Sequence, residues 1–125
     1  MKLRILGHSL RLRLTRGEVD ALGGGEAVRE QTAFPGGNAL HYCLLVGDER
    51  GAALSSNDSG VQLSVTVPAA EAQHWATDDT QVGLSGAQPF SVQGLEILIE
   101  KDFTCLNPRD SDEELDTFPN PNRVS

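Results

Sequence analysis

The stretch Leu10-Arg11-Leu12-Arg13-Leu14 alternates apolar and basic side chains without a break, and no other feature constrains the fold as strongly. Successive side chains of an extended strand point to opposite faces, so three leucines must line a core while two arginines face water. A helix of the same sequence would scatter both types around its axis and bury neither cleanly. The pattern returns in Val61-Gln62-Leu63-Ser64-Val65-Thr66-Val67. Two such strands predict a mainly β domain whose sheets are buried on one face only.

The surrounding sequence fills in the other elements. Lys2-Leu3-Arg4-Ile5-Leu6 is a strand, and Gly7-His8-Ser9 turns it into the arginine strand. Thr15-Arg16-Gly17-Glu18 has the form of a capping box, in which the Thr15 hydroxyl accepts from the Glu18 N–H and Glu18 reaches back. A short helix follows, with Val19 and Leu22 on its buried side, and Gly23-Gly24-Gly25 stops it. Strands are predicted over residues 27–34 and 40–46, then 52–56 and 61–67. A second short helix is predicted over 68–76, with Pro68 suited to its first turn. Strands over 81–84 and 95–100 complete the pattern. The predicted fold is a small, barrel-like antiparallel α+β domain with two short helices.

Setting Leu10 over Leu63 aligns the halves without a gap as far as Leu22 over Trp75. Leu12 meets Val65, Leu14 meets Val67 and Glu18 meets Glu71. With small shifts Val28 meets Val82, Phe34 meets Phe90 and Leu40 meets Leu95. Each half then reads strand-strand-helix-strand-strand, with pseudo-repeats over 1–46 and 51–101. Leu12, Leu14, Val65 and Val67 should be buried together. An alternating strand that runs directly into a short helix, as in Val65-Thr66-Val67-Pro68-Ala69-Ala70-Glu71, resembles the swapped-hairpin AbrB-like DNA-binding modules. Two copies of that module interlock as a dimer, so the resemblance implies an interlocked pseudo-dimer barrel within one chain, and with it nucleic-acid binding through the arginine strands. A second resemblance spans the whole chain. Glu100-Lys101-Asp102-Phe103-Thr104-Cys105-Leu106, Pro108-Arg109, an acid cluster and Phe118-Pro119-Asn120-Pro121, together with Met1-Lys2-Leu3-Arg4-Ile5, look like a small family of uncharacterised bacterial proteins. That resemblance implies no particular activity.

The chain has 125 residues, enough for one domain. We expect a β-rich domain over residues 1–106 and an acidic, proline-containing tail over 107–125. Net charge is −8, which opposes a general nucleic-acid binder because phosphate neutralisation dominates that affinity. No apolar run approaches the roughly 20 residues of a membrane helix, and Arg11 and Arg13 interrupt what would be a signal peptide's apolar stretch. A cytoplasmic protein with no membrane contact is expected. Two cysteines cannot make a disulfide framework, and reduced thiols suit that compartment.

Candidate chemistry is sparse. His41 and Cys43, two apart on a strand, share a face and form half of a soft-metal site for Zn or another divalent ion. Cys105, near Asp102 and Arg109, could join them or bury itself to anchor the tail. The acid run from Asp110 to Asp116 fails the EF-hand pattern because Leu115 stands where glycine is required. Arg4, Arg11, Arg13 and Arg16 form a basic face expected to pair with acids of the same chain. Leu115 and Phe118 could dock the tail on the domain. There is no nucleophile elbow, phosphate loop or metalloprotease motif. The expected function is therefore binding, with a protein partner and no catalysis or cofactor. Metal binding or sensing through His41, Cys43, Cys105 and the acid run is the alternative.

Overall fold

In a computed structural model that describes residues 1–102, each half of the chain forms two hairpins separated by one short helix. The first half comprises β1 (Lys2–Leu6), β2 (Ser9–Leu14), α1 (Arg16–Gly23), β3 (Val28–Ala33) and β4 (Ala39–Gly47). The second comprises β5 (Gly51–Asn57), β6 (Gly60–Pro68), α2 (Ala69–Thr77), β7 (Phe90–Val92) and β8 (Leu95–Lys101). Among the described residues, no helix is long and apolar enough to cross a membrane.

The halves exchange hairpins. One sheet, here sheet A, has the order β1-β2-β8-β7, and sheet B has the order β3-β4-β6-β5. Each sheet takes one hairpin from each half. Two expectations are corrected. The central pairs β2·β8 and β4·β6 are parallel, so the sheets are mixed and not antiparallel throughout. Local alternation reveals hairpins, which are antiparallel, but says nothing about which distant strands meet. Nor does a barrel close: β1 and β7 remain the edges of one sheet, β3 and β5 the edges of the other.

The register makes the equivalence of the halves explicit. Leu12 stands opposite Ile99 in sheet A as Val65 stands opposite Leu44 in sheet B. All four are buried in one core with Leu14, Val67, Ile97, Leu22 and Trp75. The Leu40 and Leu95 match agrees with this register, but two others do not. Leu84, whose N–H bonds to the Ile99 carbonyl, takes the place that Val28 occupies opposite Leu44, so Val28 does not correspond to Val82. Phe90 stands opposite Ile97 as Glu30 stands opposite Tyr42, so its counterpart is Glu30 and not Phe34. The strand expected over 81–84 is reduced to a single bridge between Gly83 and Glu100. Two ladder bonds flank that bridge, from the Leu84 N–H to the Ile99 carbonyl and from the Lys101 N–H to the Val82 carbonyl, which also accepts from Trp75 Nε1 at 3.0 Å, while the Gln81 amide donates to the Gly83 and Leu84 carbonyls.

The helices form as their sequences dictate. Thr15 and Glu18 close the capping box, and Val19 and Leu22 are buried. Pro68 precedes α2, which buries Ala72 and Trp75. The helices meet where Gly23 faces Ala76, and a Cβ on Gly23 would lie 2.5 Å from the Ala76 Cβ. Under the gapless match these two positions are equivalent, so the pseudo-two-fold axis passes through this crossing.

Because each sheet needs both halves, the halves should unfold as one unit. Leu12→Ala and Leu44→Ala, in different sheets, should each cost about 2–5 kcal/mol, the usual range for emptying a buried leucine site. In urea each variant should retain a single transition, followed by far-ultraviolet circular dichroism and by Trp75 fluorescence. Separated transitions for the two probes would contradict the shared core.

Candidate functional site

Alternation in β2 and β8 turns Leu10, Leu12, Ile97 and Ile99 inward, which leaves Arg11, Arg13, Leu98 and Glu100 on the outer face of sheet A. β1 adds to that face directly across the hairpin: Arg4 stands opposite Arg11, and Lys2 opposite Arg13. Like charges facing each other across a ladder are unfavourable. Relief comes from a single carboxylate, Glu100, which lies 3.7 Å from the Arg11 Nε and 3.4 Å from the Arg13 Nε. Lys2 pairs with Asp102 at 3.1 Å. Among the described residues, Arg4 and Arg16 make no ion pair. The expected self-pairing thus holds for Arg11 and Arg13, with a strand acid as the partner. Arg16, the first residue of α1, lies off this face. Cys105, Leu115 and Phe118, and the tail calls as a whole, lie outside the described residues.

Sheet B presents a different outer face. Ser64, Thr66 and Ala53 stand where sheet A has Arg11, Arg13 and Arg4, as the registers of the two hairpins show. His41 and Cys43 do share this face, next to Gln31 and Arg29 on β3 and to Gln62 and Ser64 on β6. They line a shallow groove of about 440 Å³ with Arg29, Gln31 and Gln62. Cys43 is a free, buried thiol outside the main core, and Gln62 Nε2 donates to its sulfur at 3.9 Å. Among the described residues, no three His, Cys, Asp or Glu side chains converge as a metal site. A third ligand for His41 and Cys43 would have to come from elsewhere.

A third cluster was not anticipated. The Met1 ammonium donates to Glu18 Oε2 at 2.6 Å and to Glu30 Oε2 at 3.0 Å, while the Tyr42 hydroxyl donates to the Met1 carbonyl. Glu18 therefore serves twice, since its other oxygen accepts from the Thr15 N–H at the start of α1. The hairpin registers make Arg50 the counterpart of Met1. Arg50 grips Glu71, the counterpart of Glu18, through two hydrogen bonds of 3.2 and 2.8 Å. Its guanidinium also lies over the ring of Phe90, the counterpart of Glu30, at 4.9 Å. In each half, then, a cation just before the first strand fastens that strand to the third residue of the following helix.

A family match now joins these observations, since the model of one family covers residues 1–122. The chain belongs to DUF7009, a family of unknown function. No curated protein matches it. No solved structure matches it either. The family match agrees with the resemblance to an uncharacterised family and assigns no role to any residue.

The arginine face was visible in the sequence, but Lys2 and Glu100 were missed as members of it. Glu100 needed knowledge that β8 lies beside β2. The cation clasps had a signal in the Glu18 and Glu71 match, but no gapless alignment extends it to Met1 and Arg50, because the second hairpin is longer.

Burial alone would lower the pKa of the Met1 ammonium, but its bonds to Glu18 and Glu30 and their negative charges outweigh that and raise it. Burial would raise the Glu18 carboxyl, while the ammonium and Thr15 bonds hold it below the usual carboxylate range. The amine's contribution to stability is therefore complete below 8.0, its ordinary value, and is lost as pH rises through the higher folded value. The Glu18 contribution is complete above 4.5 and is lost as pH falls through the lower folded value. Thermal melts across pH should show a plateau between these limits. Glu18→Gln should lower the plateau and flatten its alkaline edge, whereas Glu71→Gln, which does not touch the Met1 ammonium, should leave that edge unchanged. Equal effects of both variants on the alkaline edge would disprove the role of the ammonium.

Proposed function

We propose that this protein is a non-catalytic binding module of the bacterial cytoplasm, and that the outer face of sheet A takes an acidic segment of a partner protein. One observation carries this reading: two like-charged pairs, Arg4 with Arg11 and Lys2 with Arg13, are stacked directly across a hairpin in a chain of net charge −8. Glu100 and Asp102 relieve it in part and leave Arg4 without an ion pair among the described residues, and an incoming carboxylate relieves the remainder. Guanidinium forks match carboxylates in two-point hydrogen bonds, which favours acidic side chains as the ligand. The negative total charge opposes duplex nucleic acid, whose affinity rests on neutralising many phosphates. The free Cys43 thiol and the bacterial resemblance of the sequence support the cellular setting. A second reading is supported by the shared face of His41 and Cys43, on which a divalent metal such as Zn would complete its ligands from outside the described residues. Metal titration followed by native mass measurement tests it.

A fluorescent oligoglutamate peptide should bind the full chain in low salt and weaken steeply by about 150 mM salt, where the screening length is near 8 Å. Arg4→Gln should lower the affinity for the peptide yet raise stability by about 0.2–1 kcal/mol, the size of a cross-strand charge term. Peptide binding unaffected by Arg4→Gln, Arg11→Gln and Arg13→Gln would refute the assignment of the face.

A further inference from the structure

We infer that residues 103–125 of the same chain lie on the outer face of sheet A when no partner is bound, so that the module carries its own competitor; this rests on the reading of that face as a site for acidic segments. The point of departure favours it. The Asp102 N–H bonds to the Leu14 carbonyl at 2.8 Å, and the Asp102 carboxylate pairs with Lys2. The chain therefore leaves the sheet at the end that carries Lys2 and Arg13. Charge favours it too. The segment holds Asp110, Asp112, Glu113, Glu114 and Asp116 against only Arg109 and Arg123. The face gathers Lys2, Arg4, Arg11 and Arg13 against Glu96, Glu100 and Asp102. Elsewhere the described residues are strongly acidic, with only Arg16, Arg29, Arg50 and Lys101 as basic side chains, so among the described residues this face is where positive charge gathers.

Reach and apolar content complete the argument. A chain of this length can extend roughly 75 Å, whereas the run along β1 from Lys2 to Leu6 is about 15 Å. At the far end of that run, on the same face as Arg4, Leu6 is 71% exposed. An acidic stretch over Arg13, Arg11 and Arg4 would bring Leu115 and Phe118 to the Leu6 side chain. Burial of Phe118 there contributes more than the exposed ion pairs, which are individually weak.

The test uses the full chain with Thr117→Cys carrying a nitroxide, in a Cys43→Ser, Cys105→Ser background. Its amide spectrum is checked for folding, and Cys43→Ala replaces Cys43→Ser if needed. Amides of Arg4, Leu6, Arg11 and Arg13 should broaden, and those of Ala53 and Ser64 on sheet B should not. Five substitutions in the tail (Asp110→Asn, Asp112→Asn, Glu113→Gln, Glu114→Gln, Asp116→Asn) should abolish the broadening. Oligoglutamate affinity should rise about tenfold in that variant, because a tethered competitor acts at roughly millimolar effective concentration. Broadening that is absent, uniform or centred on sheet B overturns the inference, as does broadening that survives neutralisation of the tail. Localised broadening with no peptide binding even to the neutral-tail variant would instead refute the partner reading and leave the docked tail standing. Equal peptide binding to both chains would overturn the competition.

Discussion

Everything in this structure depends on the pairing of β2 with β8 and of β4 with β6. These parallel pairs join strands from opposite halves of the chain at the centre of each sheet. Without them each half would be two hairpins and a helix with no common core, and isolated hairpins are marginal in water. With them, Leu12, Ile99, Leu44 and Val65 become neighbours in one apolar interior, and α1 and α2 cover it together. The short helices need little stability of their own, since packing supplies what two turns of helix cannot.

Electrostatics then divides the surface into parts with different duties. At the start of each half a cation fastens hairpin to helix, and the chemistry of that cation is unimportant so long as Glu18 or Glu71 receives it: an ammonium serves in one place and a guanidinium in the other. On the outer faces the halves diverge. Sheet A keeps arginines where sheet B has serine, threonine and alanine, so a framework with two-fold connectivity presents one charged face and one nearly neutral face. That divergence, more than the fold itself, distinguishes a site from a scaffold.

Much of this was legible in the sequence because short-range rules govern it. Strict alternation marked β2 and β6 and set which residues are core. The Thr15 and Glu18 spacing marked the start of α1, and the Glu18 and Glu71 match pointed to a repeated unit. What could not be read depends on distant neighbours. Parallel pairing leaves no local trace, and neither does the choice between closed barrel and two open sheets. The strand expected over 81–84 shrinks to one bridge, where the Gln81 amide claims the Gly83 and Leu84 carbonyls, and an apolar stretch does not reveal such competition. Of the candidate site, Arg11 and Arg13 followed from alternation alone, and Arg4 joined them through the turn at Gly7. Their acidic neighbour Glu100 could not be foreseen, nor could the use of a main-chain amine as a clasp.

The crossing of α1 and α2 carries one more implication. Equivalent positions meet there, and they are occupied by different residues, Gly23 and Ala76. In a homodimer of identical halves, a residue on the axis would face its own copy. Two alanines would collide, and two glycines would leave a void and weaken both helices. Only an unlike pair fills this space, and a perfect dyad forbids unlike pairs. Joining both halves in a single polypeptide removes that frustration, because each side of the axis can then be chosen independently to fit the other.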